Sequence, residues 1–284
     1  MKRTSIFLLF CAIAIQLTAC SAGAETITGA QYEATVDRYS HFALGRPHEY
    51  ARLRVTTDAG RSLAFELPED EVFEDLEPRL VRLATSEQKE ILAIVSQRGS
   101  GSRLVLIRLR GGHLETSAES PAIGTPQRWL NPVGVVDLDG DGRAEIAAVT
   151  TPHIGGTLKV YRRYGSKLVE IAALAGFSNH VYGSPVLGLA APVFVGDRMR
   201  LLVPDTTRMR LLLIALEDGR LVEVGRCAVP AQVTGAITVV SASEVSIGLA
   251  SGQHMIHLEH CLANRSTKGD TEHKRGQATF SNQI

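Results

Sequence analysis

Aromatic residues are scarce in this 284-residue chain: they make up 5%, with a single Trp, so wide aromatic stacking surfaces are not expected. Charge of either sign is not in excess, since 30 Lys and Arg face 30 Asp and Glu. Without residues 1–19, Lys2 and Arg3 go and 28 basic residues face 30 acidic ones, a balance that gives no reason to expect nucleic acid. No apolar run reaches 18 residues, so no transmembrane helix is expected. Helical periodicity is rare. G-x-S-x-G, H-E-x-x-H, Walker and G-x-G-x-x-G patterns are all missing, which leaves no signature of a nucleophile, a zinc hydrolase or a nucleotide site.

What is present is short β-branched and aliphatic runs separated by Gly- or Asp-bearing turns. Glu90-Ile91-Leu92-Ala93-Ile94-Val95 lies 55 positions before Glu145-Ile146-Ala147-Ala148-Val149-Thr150, and Gly101 matches Gly156. A third copy runs through Arg200–Val203, Met209–Leu216 and Gly219–Glu223, and a weaker fourth through Ala236–Val240, Val245–Ala250 and Met255–Leu258. Tyr50–Val55 and Arg61–Leu67 form a hairpin unit ahead of them. Repeats of roughly 45 to 55 residues with three or four strands predict an all-β chain, a β-propeller of about five blades over 31–262, with a β-sandwich as the alternative. The strands near Tyr32–Tyr39 are expected to complete the short last blade. The polar, aperiodic segment 263–284 reads as a disordered tail.

The sharpest motif is Asp137-Leu138-Asp139-Gly140-Asp141-Gly142-Arg143-Ala144-Glu145. Alternating carboxylates with two glycines bring hard oxygens to one point, as Ca²⁺ requires. Side-chain oxygens are assigned to Asp137, Asp139, Asp141 and Glu145, and a backbone carbonyl to Arg143. An EF-hand is excluded, because the last acid stands at position 9 and strand-like runs flank the loop. A strand, D-x-D-G-D-G-x-x-[DE] and an aliphatic strand resemble the FG-GAP or VCBS repeat of integrin α-subunits and many bacterial exported proteins. The resemblance covers Tyr50–Leu258, with the full loop in one copy only. It implies a propeller with one structural calcium site and implies no substrate.

Lys2 and Arg3 followed by the apolar run Ile6–Leu17 read as a signal peptide over 1–19. Leu17-Thr18-Ala19-Cys20 resembles the lipobox of bacterial lipoproteins, which implies a lipid on Cys20, a linker over 20–30 and an envelope address on the periplasmic side. Ala22-Gly23-Ala24 is a competing cleavage site that gives a soluble periplasmic or secreted protein. Cys227 and Cys261 remain in the folded part, as a disulfide worth ~3 kcal/mol in the chain-entropy model or as two buried thiols.

Trp129, Asn131, His153, Asn179, His180 and Tyr182 sit between strand runs, where propeller loops form a ligand mouth; ordinary turn-formers and a rim Trp filling a blade interface are the plainer alternative. His254, His257, Glu259, His260 and Cys261 read as one strand, with His257, Glu259 and Cys261 on a face that could hold zinc. The favoured function is a non-enzymatic binding or scaffold module for an envelope protein or glycan, touching membrane through its lipid only. The competing one is a hydrolase or lyase of envelope polysaccharide, recognisable by two carboxyls and a His converging in a deep pocket.

Overall fold

The computed structural model describes residues 24–85 and 87–262. The segments 1–19 and 263–284, and Cys20, lie outside the described residues.

The described chain is all-β. It opens with β1 (Ile27–Thr35), β2 (Tyr50–Thr57) and β3 (Ser62–Glu66). A second group holds β4 (Glu71–Phe73), β5 (Arg79–Val81), β6 (Glu90–Gln97), β7 (Gly101–Arg110) and β8 (His113–Glu119). A third is β9 (Leu130–Val136), β10 (Glu145–Thr150), β11 (Gly156–Tyr164) and β12 (Lys167–Phe177). A fourth is β13 (Ala191–Val195), β14 (Arg198–Pro204), β15 (Arg210–Glu217) and β16 (Arg220–Ala228). The last is β17 (Val233–Val239), β18 (Glu244–Leu249) and β19 (Gly252–His257), capped by helix α1 (Leu258–Leu262).

Hydrogen bonding joins these groups into sheets of 12, 4 and 3 strands rather than the two sheets of a sandwich. The largest sheet is thinly joined. The pair Tyr50 and Phe73 links β2 to β4, and the parallel pair Lys167 and Glu119 links β12 to β8. Within each group the strands form antiparallel meanders, as short runs with tight turns dictate.

Packing explains the continuous aliphatic runs. A strand buried on both faces has no polar alternation. In β6, Ile91, Ala93 and Val95 pack with Leu53, Val55 and Phe73, whereas Leu92 and Ile94 face the other way toward Trp129, Ile146 and Ala148. In β10, Ala147 and Val149 turn to Leu201, Val203 and Ile214. In β15, Leu211, Leu213 and Ala215 complete a further layer against Val233, Val245 and Ile247. Five groups thus stack through four apolar interfaces. The repeat glycines have a steric reason: a Cβ on Gly101 would lie 2.4 Å from Thr125 O, and one on Gly156 would lie 2.4 Å from Phe177 O.

Three expectations are corrected. β1 pairs with β2 and not with β17–β19, because residues 27–35 find their complementary edge in the adjacent hairpin. β1 also begins at Ile27, inside the stretch 20–30 read as linker. The strand carrying His254 ends at His257, and α1 takes up Glu259, His260 and Cys261, so the period-2 zinc face does not exist. Cys261 is joined to Cys227 in a disulfide, which tethers α1 to β16.

Candidate functional site

Two polar centres flank β10, one before Glu145 and one after Thr150. Along a strand of this length they stand roughly 16 Å apart.

The acidic loop joins β9 to β10. Asp137 closes it by accepting Gly140 N–H on Oδ1 at 2.7 Å and Gly142 N–H on Oδ2 at 2.8 Å. Gly140 and Gly142 both have φ +84°, a left-handed conformation that an L side chain would strain. Asp139 Oδ1 accepts Asp141 N–H at 3.2 Å, and Asp141 Oδ1 accepts Arg143 N–H at 2.8 Å. Glu145 is fully buried, and its Oε2 accepts Leu138 N–H at 3.0 Å. Ala144 N–H donates to Leu83 O at 2.7 Å, so the preceding repeat braces the loop.

Of the five residues assigned to the ion, Asp137, Asp139 and Glu145 offer oxygens that lie within 4.8 Å of one another. Asp141 stands outside that trio, and its carboxylate is engaged with Arg143 N–H. The sequence reading missed Arg162. This β11 side chain donates to Glu145 Oε1 from Nη2 at 2.7 Å and also to Asp139 Oδ2. Strand pairing carries it across, because Tyr161 is the partner of Ile146, next to Glu145. Burial raises the Glu145 pKa, against the opposing pull of Leu138 N–H and Arg162. Burial is also the largest single influence on Asp139 and acts upward, but the hydrogen bond and charge of Arg162 together with Asp141 N–H outweigh it, and the net shift is downward. The donor set fits a hard divalent cation in chemistry and spacing. Its resident counter-charge is a guanidinium, which an incoming ion would have to displace from two of the three carboxylates.

The second centre gathers the loop residues of the sequence reading. His153 Nε2 and His180 Nδ1 are 2.7 Å apart, and His180 Nε2 lies 2.9 Å from Ser184 O. Trp129 is stacked parallel to His153 with centroids 6.0 Å apart, and its centroid lies 4.9 Å from that of His180. Trp129 fills an interface, as the plainer alternative has it, but lies inside it and not at the rim. It is 1% exposed, because its ring fills the interface between the second and third strand groups and its Nε1–H donates to Glu74 O at 2.9 Å. Asn131 and Asn179 exchange side-chain amide bonds with each other's backbone carbonyls at 3.1 Å, which locks β9 to the loop after β12.

Three participants, His41, Glu74 and Glu49, went unnoticed in the sequence, and Tyr182, already singled out there, joins them. His41 Nδ1 pairs with Glu74 Oε1 at 2.8 Å. Glu74 is fully buried and also accepts Ala43 N–H at 3.2 Å and Ser96 Oγ–H at 2.6 Å. Glu49, also buried, accepts the backbone N–H groups of Ser40, His41 and Phe42. Tyr182 donates its hydroxyl to His41 O at 2.7 Å. None of the three unnoticed residues sits in a motif, and no local signal could have found them. Burial lowers the His153 pKa to about 3 and the His180 pKa to about 4, with the Arg208 charge adding to both. Both imidazoles are therefore neutral near pH 7. His41, Gln127, Arg128, Trp129, His153 and Tyr182 surround a pocket of about 130 Å³. A larger one of about 350 Å³ opens between β5 and β9, beside Arg79, Arg82 and Gly134.

Comparison with protein-family models and with curated proteins finds no match for this chain.

Proposed function

We propose that this chain is an exported binding or scaffold module of the bacterial envelope, a propeller of FG-GAP-type blades tethered through Cys20 and braced by one calcium ion. The observation that carries the reading is the convergence of Asp137, Asp139 and Glu145 in a loop between two strands of a stacked all-β body. The five strand groups packed face to face, and the side-by-side approach of the first strands β9, β13 and β17, support the propeller. In this reading Ca²⁺ replaces the Arg162 guanidinium as the partner of Asp139 and Glu145, and the loop holds β9 and β10 in register. The loop's own N–H groups keep Asp137 oriented before the ion arrives, which lowers the cost of organising the site.

Binding is favoured over polysaccharide cleavage by what lines the two pockets described above. Neither joins two carboxyls with a histidine, because Glu74 is buried behind His41. The occupant in this reading is an envelope protein or glycan held by the loops near His153. Thermal unfolding of the full chain in Ca²⁺ and in chelator tests the brace, and capture from envelope extract under both conditions tests the module. A calcium-dependent rise in Tm, together with a partner retained only in calcium, is the expected result. A Tm indifferent to calcium removes the brace, and capture of nothing in either condition removes the module.

A further inference from the structure

The 130 Å³ pocket contains two imidazoles whose tautomers are set by what stands behind them. A carbonyl oxygen only accepts, so the contact of His180 Nε2 with Ser184 O requires a proton on Nε2. Neutral His180 then has a bare Nδ1, and His153 must donate to it from Nε2. His153 is left with an unprotonated Nδ1. On the other side, Glu74 Oε1 engages His41 Nδ1 at 2.8 Å, so Nε2 is the nitrogen of that ring left for a ligand. Among the described residues, neither His153 Nδ1 nor His41 Nε2 has a hydrogen-bond partner. Both rings meet the Tyr182 ring edge-on, with centroids 5.3 Å and 6.0 Å from it, and both line the same pocket.

Two imidazoles lining one pocket, each with one nitrogen held by a buried acceptor and the other unengaged, form the arrangement by which proteins hold first-row transition metals. We propose that His41 Nε2 and His153 Nδ1 bind a divalent first-row transition ion in this pocket, with Glu74 and His180 as the groups that orient them. The remaining coordination positions are open to water or to an anionic ligand atom, which Arg128 on the pocket wall attracts. This ion is chemically distinct from one in the acidic loop: nitrogen donors select a borderline metal, and carboxylates select Ca²⁺. The proposal does not rest on the calcium reading and survives its failure.

The test is a Cu²⁺ titration of the chelator-stripped full chain, followed by calorimetry and by electron paramagnetic resonance. One equivalent bound with hyperfine coupling to two nitrogens is expected. His41→Gln and His153→Gln should each weaken binding at least about tenfold, the usual scale for losing a ligand or its support. Asp139→Asn should leave it unchanged. The exposed pair His257 and His260, with ring centroids 5.3 Å apart, is the competing copper site. The double variant His257→Gln/His260→Gln should therefore bind like the wild type. No stoichiometric binding, or binding lost only in that double variant, overturns the proposal. The spectrum of the wild-type chain decides the nitrogen count even where a pocket variant fails to fold.

Discussion

The acidic loop and the histidine pocket lie at opposite ends of β10 and solve opposite problems. The loop packs four carboxylates into nine consecutive residues and keeps them largely at the surface, where its own backbone N–H groups and one arginine satisfy them. The pocket buries His180 and Glu74 completely and draws its members from five separate stretches of chain. Charge at a surface can be managed locally. Polar groups in a core must be fully satisfied, and satisfaction there needs chain from elsewhere.

The largest effect should come from Glu74→Ala. It strips the acceptor from His41 Nδ1, Ala43 N–H and buried Ser96 Oγ, and should cost about 4 kcal/mol, read from the urea midpoint at unchanged slope. A loss under about 1 kcal/mol would mean that the pocket is no more cooperative than the loop. Arg162→Gln comes next. In chelator it leaves buried Glu145 with Leu138 N–H alone, at a cost of about 2 kcal/mol. In Ca²⁺ the loss should be recovered and calcium affinity should rise, because the competing cation is gone. Unchanged affinity would show that Arg162 does not compete for the loop.

Acid separates the two regions in a different way. His153 and His180 have folded pKa values of about 3 and about 4, below the unfolded value of about 6.5, so below that pH the unfolded chain binds the extra protons. Their contribution is complete above pH 6.5 and declines as pH falls toward 4, by up to about 1.4 kcal/mol per pH unit for each histidine. His153→Gln/His180→Asn should flatten that part of the stability profile, and an unaltered slope would contradict the assignment. The smallest effect is Asp139→Asn in chelator, below about 1 kcal/mol, since its ion pair with Arg162 is partly exposed. In Ca²⁺ the same variant should lose affinity and most of the calcium-induced rise in Tm.

How much of this was legible follows the same division. The runs at 90–95 and 145–150 carried their identity as strands buried on both faces, and the matched Gly101 and Gly156 marked equivalent turns where a side chain has no room. Asp137 to Glu145 could be read as an ion loop because its groups are neighbours in the chain. Arg162 could not, since only the β10–β11 register brings it to Glu145. Trp129, His153 and His180 were visible as loop residues, but their contact was not, and His41 and Glu74 carried no pattern at all. The end of β19 was misread because the disulfide at Cys261 and burial of Leu258 favour a turn of helix where period-2 alternation suggests a strand.

By itself the sequence determined the all-β character, the repeat spacing and the acidic loop, because each depends on residues a few positions apart. Only the tertiary structure decided that β1 joins β2, that an arginine sits among the loop carboxylates, and that His41 on buried Glu74 and His153 on buried His180 meet around one pocket. Those outcomes depend on which strand edges and sheet faces meet, and the free energy that selects them comes from burial and hydrogen bonding between distant parts of the chain.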